Sequence, residues 1–249
     1  MNKWRLEMLI VIGVFLVWWL VFTLKLVSPL LVPHPGLVAK SMFALLFSAK
    51  TYLEIGATLY RFGAGLFLGI FFGLPLGLSM ELFSLVYRAV IFWIDFVRSI
   101  PATAFIPWSI LIFGVGSNSK IFVIALFSGA YFALSTWYGV KAISPGRLQV
   151  ATLHGFSLWQ KIIHVIIPET IAHTVSGLRS AITVALVICV AAEMFVGTKY
   201  GLGKVLINSQ ITYETATLYA WIIMIGLIGL GINKATLILE RRYVHWVGK

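Results

Sequence analysis

The chain has 249 residues, of which 60% are hydrophobic and only 11% charged, with a formal charge of +11 and a mean hydropathy of +0.99. A water-soluble domain needs more polar surface than this composition supplies, so the chain reads as an integral membrane protein. Its nineteen basic residues are spread over span ends and loops and form no stripe or arm, which excludes nucleic acid as a partner and points to anionic lipid headgroups.

Lys3 and Arg5 precede an apolar run from Met8 to Val27. The run is too long for a signal peptide and no A-x-A site follows, so it predicts a retained first span. Pro29, Pro33 and Pro35 then break the helix, and Leu37–Ser48 reads as a short amphipathic, non-spanning elbow. The second span is expected over Thr58–Met80, with Gly63, Gly65, Gly69, Gly73 and Gly77 offering a small-residue face for close helix packing.

The stretch from Leu82 to Gly114 allows two readings. Either a tilted helix starts near Ala89 and kinks at Pro101, or an interfacial helix leads into a span that begins near Ser99. The fourth span is expected over Ser119–Val140, the fifth over Thr174–Val196 and the sixth over Ala216–Leu239. The organisation is therefore an N-terminal span and elbow (1–57), a five-span core (58–239) with a long loop at 141–173, and a short tail (240–249).

Counting basic residues in short loops orients the chain. With the N-terminus in the cytoplasm, the inner segments hold Lys3, Arg5, Arg88, Lys141, Arg147, Lys161, Arg241, Arg242 and Lys249, against Lys40, Lys50, Lys120, Lys199 and Lys204 outside. Both termini and the 141–173 loop are then cytoplasmic.

Four ionisable residues within or near spans are candidates for function, because a charge in hydrocarbon is costly unless paired or used. Asp95 and Arg98 are three apart and can pair on one helix; substrate contact by Arg98 is the other reading. Arg179 can snorkel to the cytoplasmic surface or line a gate. Glu193 lies about 21 Å further along the same helix, near its outer end, where it can bond to the Gly197–Gly203 loop.

Enzymatic chemistry finds no constellation. None of the five histidines forms an i, i+4 pair, which excludes a helical H-E-x-x-H zinc site, and the single cysteine, Cys189, allows no internal disulfide or cysteine metal site. Gly197–Lys204 mimics a phosphate loop, but its spacing is one residue too long and Val205 replaces the Ser/Thr.

The loop at 141–173 carries a family resemblance. Gln149-Val150-Ala151, then Gly155, then Val165-Ile166-Ile167-Pro168 resemble the cytoplasmic signature of the permeases of ATP-binding cassette importers, E-A-A, three residues, G, nine residues, I-x-L-P, with its spacing kept. Gln149 replaces the family's carboxylate and offers a hydrogen bond where the family has a possible ion pair. Arg98-Ser99-Ile100-Pro101, Ile106-Pro107, Phe113-Gly114-Val115-Gly116, Ala191-Ala192-Glu193-Met194 and Gly201-Leu202-Gly203 are similar to the nitrate, sulfonate and taurine branch. The resemblance covers about Thr58–Lys234.

What it implies is an all-α polytopic protein of six transmembrane helices with the type I importer permease (MetI-like) fold, in the bacterial inner membrane. It implies a homodimer, an ATPase subunit under each cytoplasmic loop, a substrate-binding protein above, and ATP and Mg held by the ATPase, with no cofactor on this chain. Gln149, Val150, Ala151, Thr152, His154, Gly155, Phe156, Trp159 and Pro168 are the expected coupling residues. Gly155 would supply a tight turn, Phe156 and Trp159 apolar contact. Arg98, Pro101, Arg179 and Glu193 are the expected pathway or gate residues. The cargo expected is a small anion such as a sulfonate, taurine or nitrate. An ion- or proton-coupled secondary transporter or small channel is the alternative, and would carry midplane coupling residues and often an inverted repeat.

Overall fold

The computed structural model describes residues 3–195 and 197–243, and among these every regular element is helical. The chain forms α1 (Lys3–Thr23), α2 (Pro35–Leu46), α3 (Ala49–Leu82), α4 (Ser84–Ser99), α5 (Phe105–Phe113), α6 (Ser117–Lys141), α7 (Pro145–Leu153), α8 (Leu158–Lys161), α9 (Ile167–Phe195), α10 (Leu202–Ile211) and α11 (Thr215–Tyr243).

The axis of the bundle is α6, which buries residues on all its faces, among them Val123, Ile124, Phe127, Ala133 and Trp137. Against it lies α3, and the reason is legible in small residues. Gly65, Gly69, Gly73 and Gly77 recur every fourth residue, and a Cβ on any of them would overlap Ile124, Ser128, Gly129 or Ala133 of α6. Backbones approach closely there, the usual source of helix association where lipid removes the hydrophobic driving force. Gly63, expected on the same face, points to open space and is no part of the seam. On the other side α9 packs Ile182, Ala185, Ile188 and Cys189 onto Val123, Ile124 and Phe127, with Phe62 of α3 closing the core.

Four helices, α3, α6, α9 over Gly177–Phe195 and α11 over Thr215–Ile238, are long and apolar enough to cross a bilayer. A bent pair passes the same test together, which brings the count to as many as five. α4 and the segment Ala102–Phe113, which ends in α5, meet at 91°, because Pro101 forces Ile100 out of helical geometry (φ −89°, ψ 134°). Contacts with α6 advance in one direction along that helix. Tyr87 stacks on Trp137, Arg98 covers Tyr131, Phe105 meets Phe127, and Phe113 meets Phe122. Of the two expectations for this stretch, the helix kinked at Pro101 is the nearer, although it starts earlier, at Ser84. The expected first span is α1, a helix of 21 residues whose apolar part is the shorter stretch Met8–Thr23. α1 rests on α11 through a Trp18–Tyr219 stack (5.7 Å).

Two helices outgrow their apolar stretches. α3 begins at Ala49 rather than Thr58, its added turns burying Thr51 and Glu54. The fifth span is expected from Thr174, yet helix runs without a break from Leu158 to Phe195, through a single π-turn at Ile162–Ile166. Pro168 lacks the N–H that an α-helix would direct to residue 164, and the wider turn just before it accommodates that loss. Hydropathy marks only the hydrocarbon zone and is blind to such polar extensions.

Candidate functional site

The 141–173 region is a helical hairpin at the Lys141 end of the bundle. Pro145 occupies the first turn of α7, where a missing N–H costs nothing. α7 ends in a Schellman motif. The N–H of Phe156 donates to Ala151 O and that of Gly155 to Thr152 O, both at 3.0 Å, and Gly155 takes φ +75°, the left-handed conformation that glycine adopts without a Cβ penalty. Ser157 then opens α8 with a capping box to Gln160. Two strong punctuation signals within three residues fix the reversal.

The hairpin is fastened to the bundle on one side only. Ile166 is buried with Val140 and Ile143, Leu148 of α7 packs against them, and Arg147 donates to Glu169 across the cleft between α7 and α9. Ala151 is buried, and Phe156 is half-buried edge-on to His164 (6.2 Å). The other side is bare. Gln149, Thr152, His154 and Pro168 are exposed, and so are Val150 (54%), Leu153 (85%), Leu158 (54%) and Trp159 (72%). A cleft of about 600 Å³ lies between α7 and the start of α9, walled by Val150, His154, Phe156 and Val165. Thr152 and His154 spend their side chains on the carbonyls of Leu148 and Val150, which keeps α7 a rigid unit. Apolar side chains thus stand out of a glycine-terminated hairpin beyond the spans, an exposed patch larger than folding of this chain alone requires.

The four candidate pathway residues separate into two environments. Glu193 is fully buried at the opposite end of the bundle. It accepts from Arg61 (2.5 Å), from Thr58 Oγ1 (2.8 Å) and from the Gly203 N–H (3.1 Å). Arg61 also donates to Ser117 Oγ (3.0 Å) and Tyr200 O (2.9 Å). Glu54 accepts from the Gly201 N–H (2.5 Å) and Thr58 Oγ1 from the Leu202 N–H (2.9 Å). The amides of Gly201, Leu202 and Gly203, which α10 itself cannot satisfy, are thus capped by side chains of α3 and α9. A Cβ at Gly201 or Gly203 would overlap Glu193, which explains the Gly201-Leu202-Gly203 run in terms of close approach.

Sequence reasoning missed Arg61, Glu54 and Lys120, each nearly or fully buried in this quarter of the molecule. The available signal was the criterion applied to Glu193, an ionisable residue near the end of an apolar span; Arg61 meets it equally.

Arg98, Pro101 and Arg179 lie elsewhere. Arg98 pairs loosely with Asp95 (3.7 Å), and its guanidinium lies 4.7 Å above the Tyr131 ring. Pro101 is the corner of the broken span, and Arg179 is exposed on α9. Among the described residues no group of three or more His, Cys, Asp or Glu could hold a metal ion.

Comparison with known proteins agrees with this arrangement. Residues 65–246 match the family of binding-protein-dependent transport system inner membrane components. The chain is 32% identical to the taurine transport system permease protein TauC of Escherichia coli strain K12, over 94% of this chain and 86% of that protein. It is 26% identical to a putative aliphatic sulfonates transport permease protein, SsuC, of Bacillus subtilis strain 168, over 98% and 88%. In fold it matches a chain of the MetNI methionine ABC transporter in an inward-facing conformation, with TM-score 0.71 and 19% identity, over 81% of this chain and 97% of that one. The chain belongs to the family of binding-protein-dependent inner membrane permease components and is a multi-pass ABC importer permease. That membership sets aside the ion-coupled transporter and the channel.

Proposed function

We propose that this permease imports a small organic anion of the sulfonate class, taurine being the reference compound. It works as a homodimer with an ATPase subunit seated on each α7–α8 hairpin and a substrate-binding protein at the α10 end. ATP and Mg are held by the ATPase, so hydrolysis occurs on that chain and movement on this one. Both termini and the hairpin face the cytoplasm, with the core at 58–239 and the N-terminal helix and elbow at 1–57. Gln149, Val150, Leu153 and Trp159 form the contact face, and Gly155 sets its angle. Arg98, Pro101 and Arg179 line the pathway, while Glu193 shapes its outer end.

The observation that carries this reading is the hairpin, rigid by its caps yet exposing Leu153 and Trp159 to solvent. A push from ATP closure reaches the spans only through such an element, and helix continuity from Leu158 to Phe195 passes the displacement directly to α9. The taurine assignment is supported by the similarity to TauC over nearly the full length of the chain.

The test is a mild-detergent capture of tagged permease with mass identification of its partners. The wild type is expected to bring down a stoichiometric ATPase, and Gly155→Glu to lose both the ATPase and taurine uptake while remaining inserted in the membrane. A permease that purifies alone, or a Gly155→Glu variant with normal uptake, would remove the hairpin from the mechanism.

A further inference from the structure

Among the arginines at bilayer depth, Arg61 and Arg98 differ in how their donors are used. Arg61 is buried and donates to Glu193, Ser117 and Tyr200. The Arg98 side chain is 35% exposed, and among the described residues its one ion pair is the loose 3.7 Å approach to Asp95. It stands at the rim of a cleft of about 310 Å³, bounded by the α4–α5 corner, by Phe127 and Tyr131 of α6, and by Thr183, Val187 and Ile188 of α9. No hydrogen-bond partner of the Tyr131 hydroxyl is found among the described residues. On α9 the exposed positions Arg179, Thr183 and Val187 recur every fourth residue and form one stripe. A stripe that begins with a free arginine is costly against lipid tails, so this face is turned to water or to a second copy.

We propose that this cleft is an anion-coordination site within the membrane, taking a sulfonate or similarly small oxyanion group, with the Arg98 guanidinium and the Tyr131 hydroxyl as its donors. The inference rests on the importer reading above and adds to it that the permease itself selects charge. Tyr131 holds the guanidinium plane from below, leaving its edge open to the cleft. Arg179 lies one turn before Thr183 on the same α9 stripe and adds a second positive charge near the cleft, against the one negative charge of Asp95 beside Arg98. The apolar remainder of the wall, Phe127, Val187 and Ile188, suits a short alkyl chain and offers no acceptor to compete with the anion.

The test uses the full-length permease in lipid nanodiscs, where both faces are reachable, with a thiol introduced by Thr183→Cys. The native Cys189 is fully buried and stays silent. With each rate divided by that of the same reagent toward a free thiol in solution, the 2-sulfonatoethyl methanethiosulfonate anion is expected to react about tenfold faster than the trimethylammonioethyl cation, reflecting local enrichment of anions. That preference should vanish in R98Q and persist in R98K. Equal rates with Arg98 present, a preference unchanged by R98Q, or an introduced thiol unreactive even toward a neutral methanethiosulfonate would each overturn the proposal. In the complete transporter in liposomes, R98Q should lower taurine uptake about tenfold, the scale of one charge-assisted contact, with ATP hydrolysis retained. Failure to capture any ATPase would refute the importer reading and leave the thiol-reactivity result standing on its own.

Discussion

The two ends of this bundle handle polar and apolar groups in opposite ways. At the α10 end, Arg61, Glu193, Thr58 and Glu54 are buried, the first three are bonded to one another, and three amides at a helix N-terminus are capped by Glu54, Thr58 and Glu193. At the hairpin end, the backbone is equally well capped, but Leu153, Leu158 and Trp159 face solvent with nothing described against them. The first region satisfies its polar groups within one chain; the second leaves its apolar side chains uncovered. Saturation of bonds thus separates what holds the permease together from what connects it to something else.

The contrast breaks most severely if the saturated end is opened. Glu193→Ala leaves Arg61 buried without its counter-charge, and loss of one member of such a pair costs about 3–5 kcal/mol. The expected outcome is a large drop in thermal stability of the detergent-purified protein, followed by tryptophan fluorescence. Replacing both partners together, Arg61→Met with Glu193→Leu, should recover most of it. A stable Glu193→Ala protein would show that the pair does not hold the fold.

A smaller effect is expected at the bare end, and on binding rather than folding. Trp159→Ala removes an exposed aromatic anchor, which should weaken ATPase capture by about 1–2 kcal/mol, or ten- to thirtyfold in Kd, with the melting temperature unchanged. Equal loss of stability would mean that Trp159 packs within the chain. Smaller again is Ser157→Ala, which deletes the capping box of α8 at a cost of about 1 kcal/mol. It should show as faster amide exchange confined to residues 157–161, and uniform exchange there would dissociate the cap from hairpin rigidity.

The hairpin was legible because its determinants are local. Gly155 and Phe156 end α7 by bonds to residues three and five positions before them, respectively, and Ser157 caps α8 by a bond three positions on. The broken span was half legible, since Pro101 marks the corner but gives no angle. The charged knot was not legible. Glu193 meets Arg61 across 132 positions of sequence, and no periodicity or spacing relates them.

The sequence by itself determined that this chain lives in a bilayer, that its helices end near the marked prolines and glycines, and that one segment resembles an ATPase-coupling signature. These follow from hydropathy and local backbone chemistry, which each residue carries wherever the chain goes. Only the tertiary structure decided which glycines touch, with Gly65, Gly69, Gly73 and Gly77 in the seam and Gly63 outside it, and which arginine is spent and which is free. Those choices depend on the rotation and closeness of helices far apart in sequence. In a membrane they are set by small-residue contact and by the cost of leaving a charge unpaired.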